Sequence, residues 1–262
     1  MKFIETPVET FVETLVETPV KTPVEASVHP RTRFSPVGMS AVIAAVLACS
    51  VSYHFAGVFW FASTLSLGTH LAFSAMLAFT VVGVYQFYFW VQQNDHFIRR
   101  HSLRIPLDSS IPFAPESVWV YGVLYYVMIG FVIATMKSVE EGLAMVFGSL
   151  VLMGAQVICF LVFPVHTPVE YRQYPVKNLS GQFLSFMQRF DGRGNCFPSN
   201  HCSIAMYVSL LLLPHVGPAS FLFAAGIAVS SLLCKQQFLL DVPAGLFLGW
   251  AAWKFTAVTL LS

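Results

Sequence analysis

Cys196-Phe197-Pro198-Ser199-Asn200-His201 sets a polar turn directly against the apolar run 202–213, and Lys235-Gln236-Gln237-Phe238-Leu239-Leu240-Asp241 does the same against the run that starts at Val242. Each is a short polar motif at the mouth of an apolar helix, where a membrane span meets water. Ser199 has the side chain and the position of a helix N-cap, with free backbone N–H groups around it. A helix start of this kind is a natural anion site. His201, next to it, can donate a proton to a phosphate ester oxygen. An Asp at the depth of Asp241 is costly unless it is paired or faces a polar cavity. Singly, Asp241 reads as a helix cap and Lys235 as a side chain reaching lipid headgroups. Together and in this order, they read with His201 as one site.

The rest of the chain has the composition of a polytopic membrane protein. Of 262 residues, 56% are hydrophobic and 10% are charged, against about 25% charged in soluble domains. Aromatic residues make up 15%, with 25 Phe, which suits lipid-facing helices. The net charge of +1 gives no reason to expect a nucleic-acid partner. The five cysteines (Cys49, Cys159, Cys196, Cys202, Cys234) are odd in number and lie mostly in or beside apolar runs. They read as buried free thiols. No cleavable signal peptide is expected before the first span, because residues 1–35 are polar and the apolar run starts near Val37.

Residues 4–27 are a tetrapeptide repeat: IETP, VETF, VETL, VETP, VKTP, VEAS. A period of four fits neither a strand nor a helix face well, and the repeated prolines oppose both. The segment 1–35 is therefore expected to be a disordered tail, without a core to cover. Thr6, Thr18 and Thr22 precede proline and are candidate phosphorylation sites; a drifting repeat without a role is the plainer reading.

Residues 36–262 are expected to form one integral membrane domain. A helix needs about 20 apolar residues to cross the ~30 Å hydrocarbon core. Seven spans fit, near 38–62, 67–92, 117–136, 142–164, 201–215, 217–234 and 239–259. The fifth is short, and the first two are separated only by a weak break at Ser63–Ser66 and Gly68. Charge supports the odd count. With seven spans, one side holds Lys2, Lys21, Arg31, Arg33, Arg99, Arg100, Arg104, Arg172, Lys177, Arg189, Arg193 and Lys235, and the other only Lys137 and Lys254. Twelve cations against two places the N-terminus and the motif loops in the cytosol and the C-terminus opposite. The organelle is not legible.

The motifs resemble those of the type 2 phosphatidic acid phosphatase superfamily. Pro198-Ser199-Asn200-His201 is similar to its second motif, and Lys235 to Asp241 to its third. Asp108 with Ile111-Pro112-Phe113, Tyr121 with Tyr125, and Phe163-Pro164 resemble the early signature of the branch of sphingomyelin-synthase-like and inositol-phosphorylceramide-synthase-like proteins. The resemblance covers about residues 105–250. It implies an all-α transmembrane bundle with a six-helix core, here with one extra N-terminal span. It also implies a lipid phosphatase or phosphotransferase, a hydrolase or transferase of lipid metabolism that uses no metal or other cofactor. Carried over, His201 is the general acid and Asp241 the orienting carboxylate. Lys235, Ser199 and Asn200 hold the phosphate. The partners expected are the bilayer and a lipid phosphate.

Two departures stand out. The family's nucleophile is a His four residues before the Asp, and Gln237 occupies that place. A carboxamide is a very poor nucleophile at phosphorus, so the covalent route is closed there. The first motif is eroded too. Val169 stands where the branch usually has Arg, with Arg172 three residues on as a substitute; His166 in the same loop is a conceivable replacement nucleophile. Three functional classes follow. The first is a lipid-phosphate enzyme with altered machinery. The second is an inactive pseudoenzyme that binds a phospholipid or isoprenoid phosphate. The third is a membrane di-iron oxidase, suggested by His96-x4-His101. The third needs several imidazoles around two metals, and the remaining histidines are scattered along the chain.

Overall fold

The computed structural model describes residues 36–94, 99–190 and 193–260. The repeat tail, with its four cations, and His96 of the His-x4-His segment lie outside the described residues. Among the described residues the only regular elements are helices. They are α1 (Pro36–Phe61), α2 (Leu67–Asn94), α3 (Pro106–Ser110), α4 (Tyr125–Thr135), α5 (Val139–Val162), α6 (Leu179–Phe190), α7 (Asn200–Val216), α8 (Phe221–Leu233) and α9 (Asp241–Leu260). All seven expected spans coincide with helices, shifted by a few residues. Two short helices, α3 and α6, fall in segments read as loops. The third span is not one regular helix. A 3-10 turn (Pro115–Ser117) and a π-helical turn (Trp119–Leu124) precede α4.

Contacts show the long helices running alternately up and down. Gly57 of α1 meets the Ala134 carbonyl, and the Ser63 hydroxyl donates to Met136 O at 2.8 Å, so α1 and α4 finish at the same end. α2 returns: the Asn195 side-chain amide donates to Tyr88 O, and the Gln92 amide to Gly194 O. Helix α7 sits centrally. It antiparallels α5, where Tyr207 donates to Met145 O, and α8, where Cys202 packs on Ala228. It runs parallel to α9, where Gly245 lies on Ser199 and Gly249 on Ser203. The main core forms where α4, α5, α7 and α8 meet, around Ile133, Met145, Val208, Leu212 and Ile227, with Phe73 of α2. One end of the bundle, the loop end, gathers residues 99–118, 163–190, 193–199 and 234–240. A pair of histidines crosses α1 and α2 nearer the other end, His54 Nδ1 lying 2.8 Å from His70 Nδ1.

The outside of the bundle is apolar. Phe59 is 76% exposed, Trp60 74%, Phe79 79% and Leu222 74%. A surface like this needs lipid to cover it. Among the described residues, three stretches are long and apolar enough to cross a membrane: Pro115–Thr135, Val139–Val162 and Asn200–Leu233. The third folds back on itself at Gly217, whose φ of 66° suits glycine. These features mark a helical membrane protein. All five cysteines are free thiols.

Candidate functional site at the loop end

The two motifs meet through the backbone: Ser199 N–H donates to Asp241 O at 3.1 Å. Ser199 is fully buried and caps α7, its hydroxyl accepting from Cys202 N–H at 3.3 Å. A Cβ on Gly245 would lie 2.5 Å from the Ser199 carbonyl oxygen. Only glycine lets the start of α9 come this close. Gln156 of α5 closes the other side. Its amide donates to Pro198 O, and its own oxygen accepts from the Ser203 hydroxyl at 3.2 Å. A lone amide in an apolar span is the signal by which sequence reading could have found Gln156.

His201 faces α4. Its ring centroid lies 4.1 Å from that of Tyr121 and 4.4 Å from that of Tyr125, at interplanar angles of 20° and 34°. Tyr121 stacks on the imidazole and Tyr125 is tilted against it. Nδ1 is 3.1 Å from the Tyr121 hydroxyl. Nε2 is buried without a partner. Asn200 and Tyr125 also line a cavity of about 70 Å³ between α2, α4, α5 and α7, whose other walls are mainly aliphatic. The two tyrosines entered the sequence reading only through a family resemblance; their stacking on His201 follows from packing.

Asp241 is fully buried. Its Oδ2 accepts from Phe238 N–H at 2.7 Å, while Oδ1 has no partner. Gln237 is buried as well, and its side-chain oxygen also lacks a partner. Lys235 is committed elsewhere: its ammonium donates to Asp108 O at 2.8 Å and Ile111 O at 2.6 Å, and lies 5.4 Å from the Tyr171 ring centre. Burial lowers its pKa, as does Arg104, against the opposing pull of the Asp108 carboxylate. Asp108, buried, completes a clamp. One carboxylate oxygen accepts from Leu239 N–H and the other from Ile105 N–H, both at 2.8 Å. Asp108 thus fixes the turn that carries Gln237 and Asp241.

Arg172 ends the short turn Val169–Arg172 and donates to Gln188 O of α6 at 2.8 Å. Burial lowers the pKa of nearby Arg193, with Arg172 and Arg100 adding their repulsion and Glu170 opposing it. Val169 is exposed. His166 belongs to a short parallel pairing of the chain at His101 and Val165, its N–H donating to His101 O at 3.0 Å. The His101 ring stacks on Phe163, with centroids 4.4 Å apart. Among the described residues, no three His, Cys, Asp or Glu side chains gather where a metal ion could be held.

The structure therefore joins Ser199 to Asp241 through the backbone and packs the start of α9 on Ser199, while His201 faces α4. It uses Lys235 to hold the turn that carries Gln237 and Asp241 in place, and it ties Arg172 to α6. No protein-family model, no curated protein and no solved structure matches this chain.

Proposed function

We propose that this chain is a multi-pass membrane protein that holds a lipid phosphate at the loop end and acts on it as a phosphatase or phosphotransferase of the type 2 phosphatidic acid phosphatase kind, with altered machinery. One observation carries the reading. Asn200 Oδ1, His201 Nε2, Gln237 Oε1 and Asp241 Oδ1 are all buried side-chain atoms without a partner, and all belong to the two motifs. Buried polar atoms in folded proteins are nearly always bonded, so each of these is open to a further partner; among the described residues, seven other buried side-chain atoms also lack one. Asn200 and Tyr125 also border a mainly apolar cavity inside the bundle. Seven spans with the loop end cytosolic fit both the alternation of the helices and the twelve-to-two division of cations.

A second reading is favoured by Gln237 itself. The family's nucleophile is missing, and the Asp241 oxygen that would orient it has no partner. The protein would then bind a lipid phosphate without turning it over. The deciding experiment is phosphate release from a panel of lipid phosphates by the purified protein in lipid, beside His201→Ala. Release that falls 10²–10⁴-fold in the variant, roughly the value of a positioned acid, supports the enzyme. Binding without release supports the pseudoenzyme. Neither binding nor release removes both.

A further inference from the structure

Helices α1 and α2, both apolar, meet through one imidazole from each, His54 and His70. We propose that this pair is a proton-binding site within the membrane: the two rings share one proton head to head and take up one further proton from water as a unit. The pair lies outside residues 105–250, so nothing in it depends on the lipid-phosphate reading.

His54 Nδ1 lies 2.8 Å from His70 Nδ1, and the ring centroids are 5.0 Å apart with the planes at 61°. In an imidazole the N–H bond and the lone pair both point straight out from the ring centre. The centroids of two such rings can be separated by at most the N···N distance plus one ring radius at each end. The observed 5.0 Å is close to that limit, so both nitrogens lie near the line between the centres and point at each other. The contact is an in-plane hydrogen bond, with N–H on one ring and a lone pair on the other. A metal ion needs about 2.0 Å to each nitrogen, so a straight 2.8 Å gap holds a proton and not a metal.

Two neutral imidazoles carry two protons. One lies between the Nδ1 atoms and the other is on Nε2 of the accepting ring. Whichever ring donates, its own Nε2 is a bare lone pair. A proton from water binds there, and the bond between the rings becomes charge-assisted. A second would set two cations side by side, so the pair takes one. The surroundings suit a single positive charge. The carboxyl end of α4 packs here: Gly57 lies against Ala134 O, and the Ile133 carbonyl faces the His70 ring. The last carbonyls of a helix favour a nearby cation. His70 is fully buried and its Nε2 makes no hydrogen bond. The seam stays polar for one more turn, since Ser50, four residues before His54, and Ser74, four after His70, are both buried. Other ionisable groups are engaged elsewhere. On α1, Tyr53 donates to Val127 O and Cys49 is exposed. The tyrosines of α2 and α4 are at least about two turns away. Lys137, Glu140 and Glu141 lie beyond α4, where Lys137 and Glu141 act on His215 of α7. The charge that acts on His70 is that of His54. An ionisable side chain inside a span is costly and marks a functional site.

The test uses the full chain with ¹⁵N-labelled histidine in lipid nanodiscs. His54→Leu and His70→Leu assign the signals; leucine is close to imidazole in volume and removes the nitrogens. The wild type should show a scalar coupling between the two Nδ1 nuclei across the hydrogen bond. Titration from about pH 8 to pH 4, which brackets the ordinary imidazole value, should give one transition with the same midpoint for both rings. It should fill the bare Nε2 and keep the coupling. In His70→Leu, His54 should bind its proton about tenfold more weakly, the effect of losing a hydrogen bond to a charged group. Absence of the coupling overturns the proposal, as do separate midpoints for the two rings. A coupled pair that takes up no proton by pH 4 overturns it too, and is then a neutral tie between helices. Unchanged affinity of His54 in His70→Leu has the same meaning. The wild-type spectra decide even where a variant does not fold.

Discussion

Gln237 is one side chain away from the chemistry its surroundings resemble. Asp241 Oδ1 and Gln237 Oε1 are both buried without a partner. On the proposed lipid-phosphate reading, Gln237→His should create or raise phosphatase activity. Positioning and electrostatics supply most of phosphoryl-transfer catalysis, so a preserved pocket can respond to a single group. Gln237→His with Val169→Arg tests whether a cation at that exposed position adds to the gain. Both variants are assayed on phosphatidic acid and an isoprenoid pyrophosphate. No gain in either, with an inactive wild type, would move the pseudoenzyme ahead. His101 gives a pH prediction at the same scale. Burial, then Arg99, lowers its pKa below the ordinary 6.5, and its Nδ1 is buried without a partner. The unfolded chain binds the proton first. The stacked, neutral ring thus contributes stability above about pH 6.5 that is lost as pH falls toward the lowered value. Thermal unfolding of the wild type should weaken more steeply between pH 7.5 and 5.5 than that of His101→Phe, which keeps the stack. Parallel curves would rule this out.

The end of α8 shows how an element can carry a cost for its neighbours. Gln236 N–H bonds Ser231 O and Lys235 N–H bonds Leu232 O. This is the pattern that closes a helix with a left-handed residue, usually glycine. Here that residue is Lys235, with φ 55°. Glycine would be easier on the backbone, but it has no ammonium for Asp108 O and Ile111 O. Lys235→Ala should lose both bonds and keep the strain, costing about 2–4 kcal/mol; Lys235→Gly should recover about 1 kcal/mol of that. Chemical denaturation in detergent reads the difference, and equal losses would show that the strain is not real. The α7–α9 crossing depends on small residues. A Cβ on Gly249 would stand 2.1 Å from the Ser203 carbonyl oxygen, whereas Gly154 has nothing within 4 Å. Close crossings of this kind are how membrane helices gain packing. Gly249→Ala should cost about 1–3 kcal/mol of stability and disturb the joined motifs two turns away. Gly154→Ala should be neutral or slightly stabilising.

For the whole molecule, the alternation of helices separates the ends. The start of α1 lies with the motif loops, and the end of α9 lies at the opposite end. Cysteine probes at the N-terminus and at Ser262, labelled in sealed vesicles, should react from opposite sides, with the N-terminal probe and the 165–200 loop on the same one. Labelling of both termini from one side would sink the seven-span arrangement.

Residue type alone was enough to place the long apolar helices and the two motifs, but not the helices α3 and α6. Apolar runs of membrane length have few alternatives, since every backbone N–H and C=O in lipid must bond within its own segment. Ser199, Pro198 and Asp241 mark helix starts by local chemistry that needs no partner, and the crowding of cations into a few loops is a property of composition. Contacts between segments far apart in sequence had to wait for the tertiary structure. The stacking of Tyr121 and Tyr125 on His201 depends on a wide turn that packing produces, and hydropathy shows that span as one helix. Lys235 has the charge of a phosphate ligand, yet its ammonium bonds the carbonyls of Asp108 and Ile111, more than 120 residues away. Asp108 holds the turn below Asp241, and Gln156 holds the loop before His201. A side chain's type states what it can bond; only the fold decides what is within reach.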